Sequence, residues 1–210
     1  GKKSLSPAFL AELEQRSRAH QQWAKQNLVQ LSEAEIWTRW MLPEEDAGRI
    51  AGRAAELMLA WGGRKGRHVP VPGAEEMLRQ LRRRGYRLGL ISNSMSTLDI
   101  PRSLEEYGWQ GLFETVILSA QVLARKPSPA PYLEALGALG VEAAACAYIG
   151  NRAEKDFPGA RQAGIALTVL IDRRQPPAPP PEDPACQPDV TVHSFAELLA
   201  LFPPLPGGEQ

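Results

Sequence analysis

The alternation of apolar and polar residues divides the chain into an all-helical first third and a longer region of alternating strands and helices. Up to about residue 68, apolar side chains recur every three or four positions, as on the buried face of a helix. This spacing predicts three helices, over SPAFLAELEQRSRAHQQWAKQNL, over SEAEIWTRW and over about 44–61. Ser32 and Glu35 have the spacing of a capping box at the start of the second helix. The third opens on an acidic turn and closes at two glycines: Glu44, Glu45, Asp46, Gly62 and Gly63.

From Pro70 the pattern changes to short apolar runs separated by amphipathic segments. The apolar runs predict strands at 86–92, 114–119, 145–150, 165–172 and 189–192. Helices are predicted over VPGAEEMLRQLRRRG and at about 97–107, 129–140, 153–163 and 194–202. This alternation predicts an α/β fold, a Rossmann-like, doubly wound parallel sheet, so we divide the chain into a helical unit, 1–68, and an α/β unit, 69–210.

Composition excludes several classes of protein. Lys plus Arg and Asp plus Glu both number 24, so the chain lacks the basic excess of a nucleic-acid-binding or anionic-membrane-binding protein. No apolar stretch approaches the roughly 18 residues that cross a membrane. Cys146 and Cys186 form no CxxC pair, which argues against a zinc site or a disulfide framework and fits a cytoplasmic location. The proline-rich segment 175–188 predicts an extended surface loop without regular structure.

Polar residues follow three of the predicted strands, where ligands bind in parallel sheets. Ser92 and Asn93 could offer a hydroxyl and backbone amides to an anion, and Lys126, in a loop stiffened by prolines, could hold a phosphate. Asp156 could bind Mg²⁺, with a neutral oxygen from Asn151. Each signal alone is weak, because serine and asparagine favour any turn and a lone lysine is usually a surface residue.

In combination these motifs resemble the haloacid dehalogenase-like (HAD) superfamily, whose members are chiefly phosphohydrolases. RKPSP with YIGNRAEKD carries the resemblance, which covers about 70–202 closely and the helical 1–68 loosely as the family's cap. It implies that Ser92 and Lys126 are catalytic and hold the transferring phosphoryl group, beside Asn93. It also implies that Asp156 and Asn151 are Mg²⁺ ligands.

Two departures from the family pattern bear on activity. The first motif, Asp-x-Asp after an N-terminal strand, is absent from the sequence, and residues 1–30 contain no aspartate. Because that strand lies mid-sheet in the family, we expect unpaired backbone on both sides of a gap. We interpret the chain, which starts at Gly1, as truncated upstream, with a natural pseudoenzyme as the alternative. The second departure is Asn151, where the family usually has aspartate.

The resemblance predicts a Mg²⁺-dependent phosphatase that acts on a small phosphorylated metabolite through an aspartyl-phosphate. The alternatives are a metal-independent dehalogenase of the same superfamily and a non-catalytic binding module. The sequence predicts neither the substrate nor the oligomeric state.

Overall fold

A computed structural model describes residues 6–64, 66 and 68–207. The predicted boundaries at residues 1 and 210 lie outside these residues. The helical unit contains α1 (Pro7–Asn27), α2 (Glu33–Glu35), a π-helix (Ile36–Met41), α3 (Ala47–Ala51) and α4 (Ala54–Gly63). Its buried core is formed by the apolar faces of these helices: Leu13, Ile36, Trp37, Met41, Ala54, Met58 and Trp61.

Two of the predicted helices differ from the structure. The capping box is confirmed, since Ser32 Oγ accepts from Glu35 N, but the α-helix it starts continues as a π-helix after Glu35. The Thr38 hydroxyl donates to the Ala34 carbonyl at 2.8 Å and so competes for an α-helical acceptor. The predicted helix at 44–61 is two helices, interrupted at Gly52, a poor helix former.

The α/β unit contains the predicted strands in shorter form. They are β1 (Gly89–Ser92), β2 (Thr115–Leu118), β3 (Ala147–Gly150), β4 (Leu167–Ile171) and β5 (Val190–Val192). The helices are α5 (Ala74–Arg83), α6 (Asp99–Glu106), α7 (Ser119–Val122), α8 (Ala130–Leu139), α9 (Ala153–Gln162) and α10 (Phe195–Leu201). The predicted strand end at Ser119 is wrong, because α7 begins there, and the proline-rich loop contains a short 3₁₀ helix at Pro184–Cys186.

All described strand pairs are parallel, which confirms the α/β class, but the strands form two sheets. β1 pairs with β2, and β3, β4 and β5 form the second sheet in that order. No ladder joins β1 to β3 within the described residues. Helix α8 packs on the first sheet and α9 on the second, and the two helices contact each other.

Strand β3, which has an open edge, is more exposed than β4, which has a strand on each side. Ile149 of β3 is 37% exposed, whereas Val169 of β4 is fully buried. The carbonyl of Leu88 accepts from Glu114 N beside β2 at 2.8 Å. Because alternate residues of a parallel strand bond toward opposite edges, the Ile91 carbonyl points away from β2, toward the open edge. On that side the Ile91 carbonyl has no strand partner among the described residues and accepts instead from Lys126 Nζ at 3.2 Å.

Backbone contacts fix the end of α1 against the α/β unit. Gln30 N donates to Leu123 O and Arg125 N to Leu28 O, each at 3.3 Å, around an antiparallel bridge between Val29 and Ala124. Further along, the Glu33 carboxylate accepts from Thr97 N at 2.9 Å and from the Thr97 hydroxyl at 3.0 Å. These bonds place the helical unit over the loop that follows β1.

Candidate active site

All but one of the residues predicted from sequence lie at or shortly after the ends of β1 and β3, the strands that border the gap. Ser92 ends β1 and Asn93 follows it, while β3 ends at Gly150, just before Asn151. Asp156 lies in the first turn of α9, which starts directly after β3. Lys126 comes from the loop between α7 and α8, and side-chain contacts bring it to both sheets.

Asn93 holds the backbone of Lys126 through two hydrogen bonds. Its Nδ2 donates to Lys126 O at 3.0 Å, and its Oδ1 accepts from Lys126 N at 2.9 Å. An asparagine side chain can satisfy a backbone donor and acceptor in this way because it carries both functions. The loop is thereby positioned relative to the end of β1.

The Lys126 ammonium donates three hydrogen bonds across the gap. Nζ lies 2.8 Å from Asp156 Oδ1, 2.7 Å from the Tyr148 hydroxyl and 3.2 Å from Ile91 O. The side chains of Lys126 and Asp156 are 12% and 6% exposed, so the ion pair is largely removed from water. In such surroundings each charge depends on its partner, because an unpaired buried charge is costly.

Both oxygens of Asp156 have protein partners. Oδ1 also accepts from the Tyr148 hydroxyl at 3.3 Å, and Oδ2 accepts from Arg152 N at 3.1 Å. Burial, followed by the negative charge of Asp156, raises the pKa of Tyr148, so its hydroxyl stays protonated and donates to the carboxylate. The same two causes raise the pKa of Tyr132, which donates to the Asp156 carbonyl at 2.6 Å.

Two glycines make the close packing around Asp156 possible. A Cβ at Gly150 would lie 2.5 Å from Asp156 Oδ2, and a Cβ at Gly159 would lie 2.7 Å from Tyr132 Cε2 and closer still to Pro127 O. No side chain fits at such distances, so α9 approaches both β3 and the Lys126 loop only because these positions are glycine.

Ser92 and Asn151 have side chains that are free to meet a ligand. Among the described residues neither the Ser92 hydroxyl nor the Asn151 amide has a hydrogen-bond partner. Ser92 is half-buried at the end of β1, and Asn151 is exposed. The predicted set thus consists of three residues in one network, Asn93, Lys126 and Asp156, with Ser92 and Asn151 at its edge.

Tyr148 and Tyr132 are part of this site and were not predicted. The two rings meet edge to face, with centroids 5.0 Å apart. The signal available in the sequence was a tyrosine two residues before the glycine that ends an apolar strand, since alternate strand residues share a face. It was too weak to separate from ordinary core packing.

The residues predicted from sequence as metal ligands offer hard oxygen atoms. Asp156 and Asn151 offer a carboxylate and an amide oxygen, which Mg²⁺ accepts together with water and substrate oxygens. The described residues contain no cluster of three or more His, Cys, Asp or Glu side chains that could hold a metal alone. A cation here would therefore need ligands beyond these two residues.

Comparison with known proteins identifies the family. The sequence model of the haloacid dehalogenase-like hydrolases matches residues 3–164. A phosphoserine phosphatase from Thermus thermophilus is 36% identical over 155 residues, which are 74% of this chain and 60% of that protein. A phosphoglycolate phosphatase from Nitrosococcus oceani is 32% identical over 167 residues, 76% of this chain and 68% of that protein.

The fold is also similar to that of solved structures. A 2-haloacid dehalogenase from Pseudomonas syringae pv. Tomato aligns with a TM-score of 0.65 at 22% identity, over 94% of this chain and 81% of that one. Together with the family match over most of the sequence, this likeness accounts for the helical unit and the parallel α/β unit. The chain belongs to the haloacid dehalogenase-like hydrolases.

Proposed function

We propose that this protein supplies the phosphoryl-binding half of a phosphatase site for small phosphorylated metabolites, dependent on Mg²⁺. The observation that carries the proposal is the meeting of Lys126, Asp156 and the Ser92 strand end at the open edge of the sheet. The similarity to phosphoserine and phosphoglycolate phosphatases supports it. The cytoplasmic location expected from the sequence belongs to the same proposal, and the free thiols of Cys146 and Cys186 are compatible with it.

Lys126 would neutralise a phosphoryl oxygen, and Ser92 would donate a hydrogen bond to another. Phosphoryl transfer depends mainly on positioning and on compensating the charge of the equatorial oxygens. Asn93 contributes by fixing the Lys126 loop. Asp156 and Asn151 would hold the Mg²⁺, which would supply further charge compensation when bound.

The nucleophile of the proposed reaction is a carboxylate that attacks phosphorus in line, forming an acyl phosphate as the ester P–O bond breaks and the alcohol leaves. Water then hydrolyses the acyl phosphate, which releases inorganic phosphate and regenerates the carboxylate. No Asp-x-Asp occurs in the sequence, so we place this carboxylate on a strand that fills the gap between β1 and β3. Such a strand would give the Ile91 carbonyl a backbone donor. Lys126 Nζ would then lose its longest contact, at 3.2 Å, and could donate that hydrogen bond to a phosphoryl oxygen.

Hydrolysis of phosphomonoesters in the presence and absence of Mg²⁺ tests this proposal. The assay should use a form of the protein with an Asp-x-Asp strand joined to residue 1, beside a matched form with the first aspartate changed to asparagine. We expect Mg²⁺-dependent turnover only with the aspartate. Release of halide from a 2-haloacid without added metal would instead assign the site to a dehalogenase, and no turnover of either substrate would refute both.

The helical unit, 1–68, would act as the family's cap and contribute to substrate choice. Its attachment through Glu33 to Thr97 places α2 against the loop that follows Ser92 and Asn93. Residues of this unit that face the site are therefore candidates for contacts with the part of the substrate that is not transferred.

A further inference from the structure

Gln30 belongs to the helical unit, and its buried side chain bonds to the α/β unit. It follows α1 and is 1% exposed. Its Oε1 accepts a hydrogen bond from Arg125 Nη1. The Ser119 hydroxyl lies 3.4 Å from the same oxygen, but it is closer to Ser94 O, at 2.9 Å, and a hydroxyl has one proton to donate. Arg125 is therefore the main donor to Gln30 Oε1.

Arg125 connects this contact to the residue that we propose to bind the phosphoryl group. It directly precedes Lys126, whose backbone Asn93 holds through hydrogen bonds of 2.9 Å and 3.0 Å. Arg125 is half-buried, and within the described residues its side chain forms no ion pair and has no acceptor besides Gln30. Because a buried polar group without a partner is costly, the direction of the Arg125 side chain depends on the Gln30 oxygen.

The backbone beside this contact adopts an unusual conformation in both units. Leu28, which caps α1, and Leu123, which caps α7, have φ angles of 54° and 55°. This left-handed region is unfavourable for a side chain as bulky as leucine. The two segments nevertheless pair, through the bridge between Val29 and Ala124. Such strain persists only where surrounding contacts fix the conformation, and it is concentrated at functional sites.

We propose that Gln30 is a positioning residue, through which the placement of the helical unit sets the position of the Lys126 loop for phosphoryl binding. This inference rests on the proposed function, because the loop must hold a phosphoryl oxygen for its position to affect binding. Gln30 Oε1 orients the Arg125 side chain and so restrains residue 125, while Asn93 restrains residue 126. Without that oxygen the guanidinium has to turn toward water, and the loop loses one of its two restraints.

Phosphate affinity of Gln30→Met tests this assignment, because methionine fills a similar volume but is only a weak acceptor. Titration calorimetry with inorganic phosphate and Mg²⁺ should show binding weakened about fivefold or more, since one charge-assisted hydrogen bond beside the site is lost. Gln30→Glu keeps an oxygen for Arg125 and should bind phosphate within about threefold of the unmodified protein.

A matched control and a second measurement separate positioning from a general loss of stability. Gln21→Met makes the same change within α1, where the side chain donates to Ser17 Oγ at 3.1 Å, and should leave phosphate affinity unchanged. Amide hydrogen exchange over 123–128 should accelerate in Gln30→Met and stay unchanged in Gln21→Met, since only the first releases the loop. Gln30→Asn withdraws the amide by one methylene and should show both effects of Gln30→Met in milder form, which keeps the test valid if Gln30→Met does not fold.

The outcomes distinguish this inference from the proposed function. Phosphate binding by the unmodified protein with equal affinity in Gln30→Met would overturn the inference and leave the proposed function intact. Equal effects of Gln30→Met and Gln21→Met, or unchanged exchange over 123–128 in Gln30→Met, would also overturn it. Absence of phosphate binding by the unmodified protein would refute the proposed function, and with it the role of Gln30.

Discussion

At the scale of single residues, the site depends on one largely buried ion pair and the groups that surround it. Lys126 and Asp156 lie 2.8 Å apart, and Tyr148 completes a chain of donors from the ammonium to the carboxylate. A pair of this kind contributes little net stability when intact, but loss of one partner leaves the other charge without compensation.

Replacement of Asp156 by asparagine should therefore destabilise the protein by about 3–5 kcal/mol, since the Lys126 ammonium stays buried without a counter-charge. Urea denaturation measures the change. Adding Lys126→Met to Asp156→Asn should recover part of the loss, and Glu56→Gln, in an exposed pair, should leave stability unchanged. Strictly additive effects of the two site substitutions would show that the pair is not coupled.

His20 is the second residue whose environment makes a measurable prediction. Its ring is fully buried next to Trp40, with neither nitrogen hydrogen-bonded within the described residues. Burial, and then the charge of Arg125, lowers the pKa of His20 to about 4 from 6.5. Between these values the unfolded chain binds a proton that the folded protein does not, so stability should fall as the pH falls from about 6.5 toward 4.

From pH 7 to pH 5 this contribution is about 2 kcal/mol. His20→Leu should remove it and flatten the pH dependence of the free energy of unfolding over this interval. His68→Gln, at an exposed histidine, is the matched control. An unchanged slope in His20→Leu would show that His20 is not the group responsible.

At the scale of elements, the position of α9 depends on its close approach to β3 and to the loop that carries Lys126. Gly159→Ala should destabilise the protein by about 2 kcal/mol or more, because the new Cβ would meet Pro127 O and Tyr132 Cε2. At Gly137 of α8 an added Cβ would meet no atom within 4 Å apart from its chain neighbours and the nearby backbone of its own helix. Gly137→Ala should therefore stabilise the protein by about 0.5–1 kcal/mol. Thermal unfolding measures the melting temperature of each variant. Equal shifts of the melting temperature in the two variants would refute the packing argument.

Helices and strands were predictable where the apolar periodicity was strong. The predictions failed where a single side chain determines the local structure. Five strands and the helices of the α/β unit other than α7 follow from alternation along residues 70–202. The π-helix at Ile36–Met41 does not, and the Thr38 hydroxyl within it donates to the Ala34 carbonyl. In the site, polar residues at strand ends were weak signals that only the family resemblance combined into one set, and the Tyr148 and Tyr132 contacts depend on packing between α8, β3 and α9.

At the scale of the whole molecule, the separation of β1 from β3 is the feature with the largest consequences. Each of these strands has a ladder partner on one side only among the described residues, whereas β4 has two. Local alternation predicts that the strands are parallel but carries no information on whether every neighbour is present. The gap could be anticipated only through the family resemblance.

Amide hydrogen exchange should reveal this separation directly. We expect β4 to be the most protected strand and β1 and β3 to exchange faster, since half of their backbone groups lack a strand partner. Exchange measured on proteolytic peptides distinguishes β1 (89–92), β3 (147–150) and β4 (167–171). Protection of β1 and β3 equal to that of β4 would contradict the open edges.

The central claim, that the end of β1 and Lys126 bind a phosphoryl group, is tested most directly by phosphate affinity in a Ser92→Ala variant. The Ser92 hydroxyl has no partner in the described part of the chain, so its loss should leave thermal stability unchanged. Calorimetric titration with inorganic phosphate and Mg²⁺ should show saturable binding that weakens at least about tenfold in Ser92→Ala. Ser103→Ala, whose hydroxyl bonds within α6, should bind as the unmodified protein does. Absence of phosphate binding, or equal affinity in Ser92→Ala, would contradict the account.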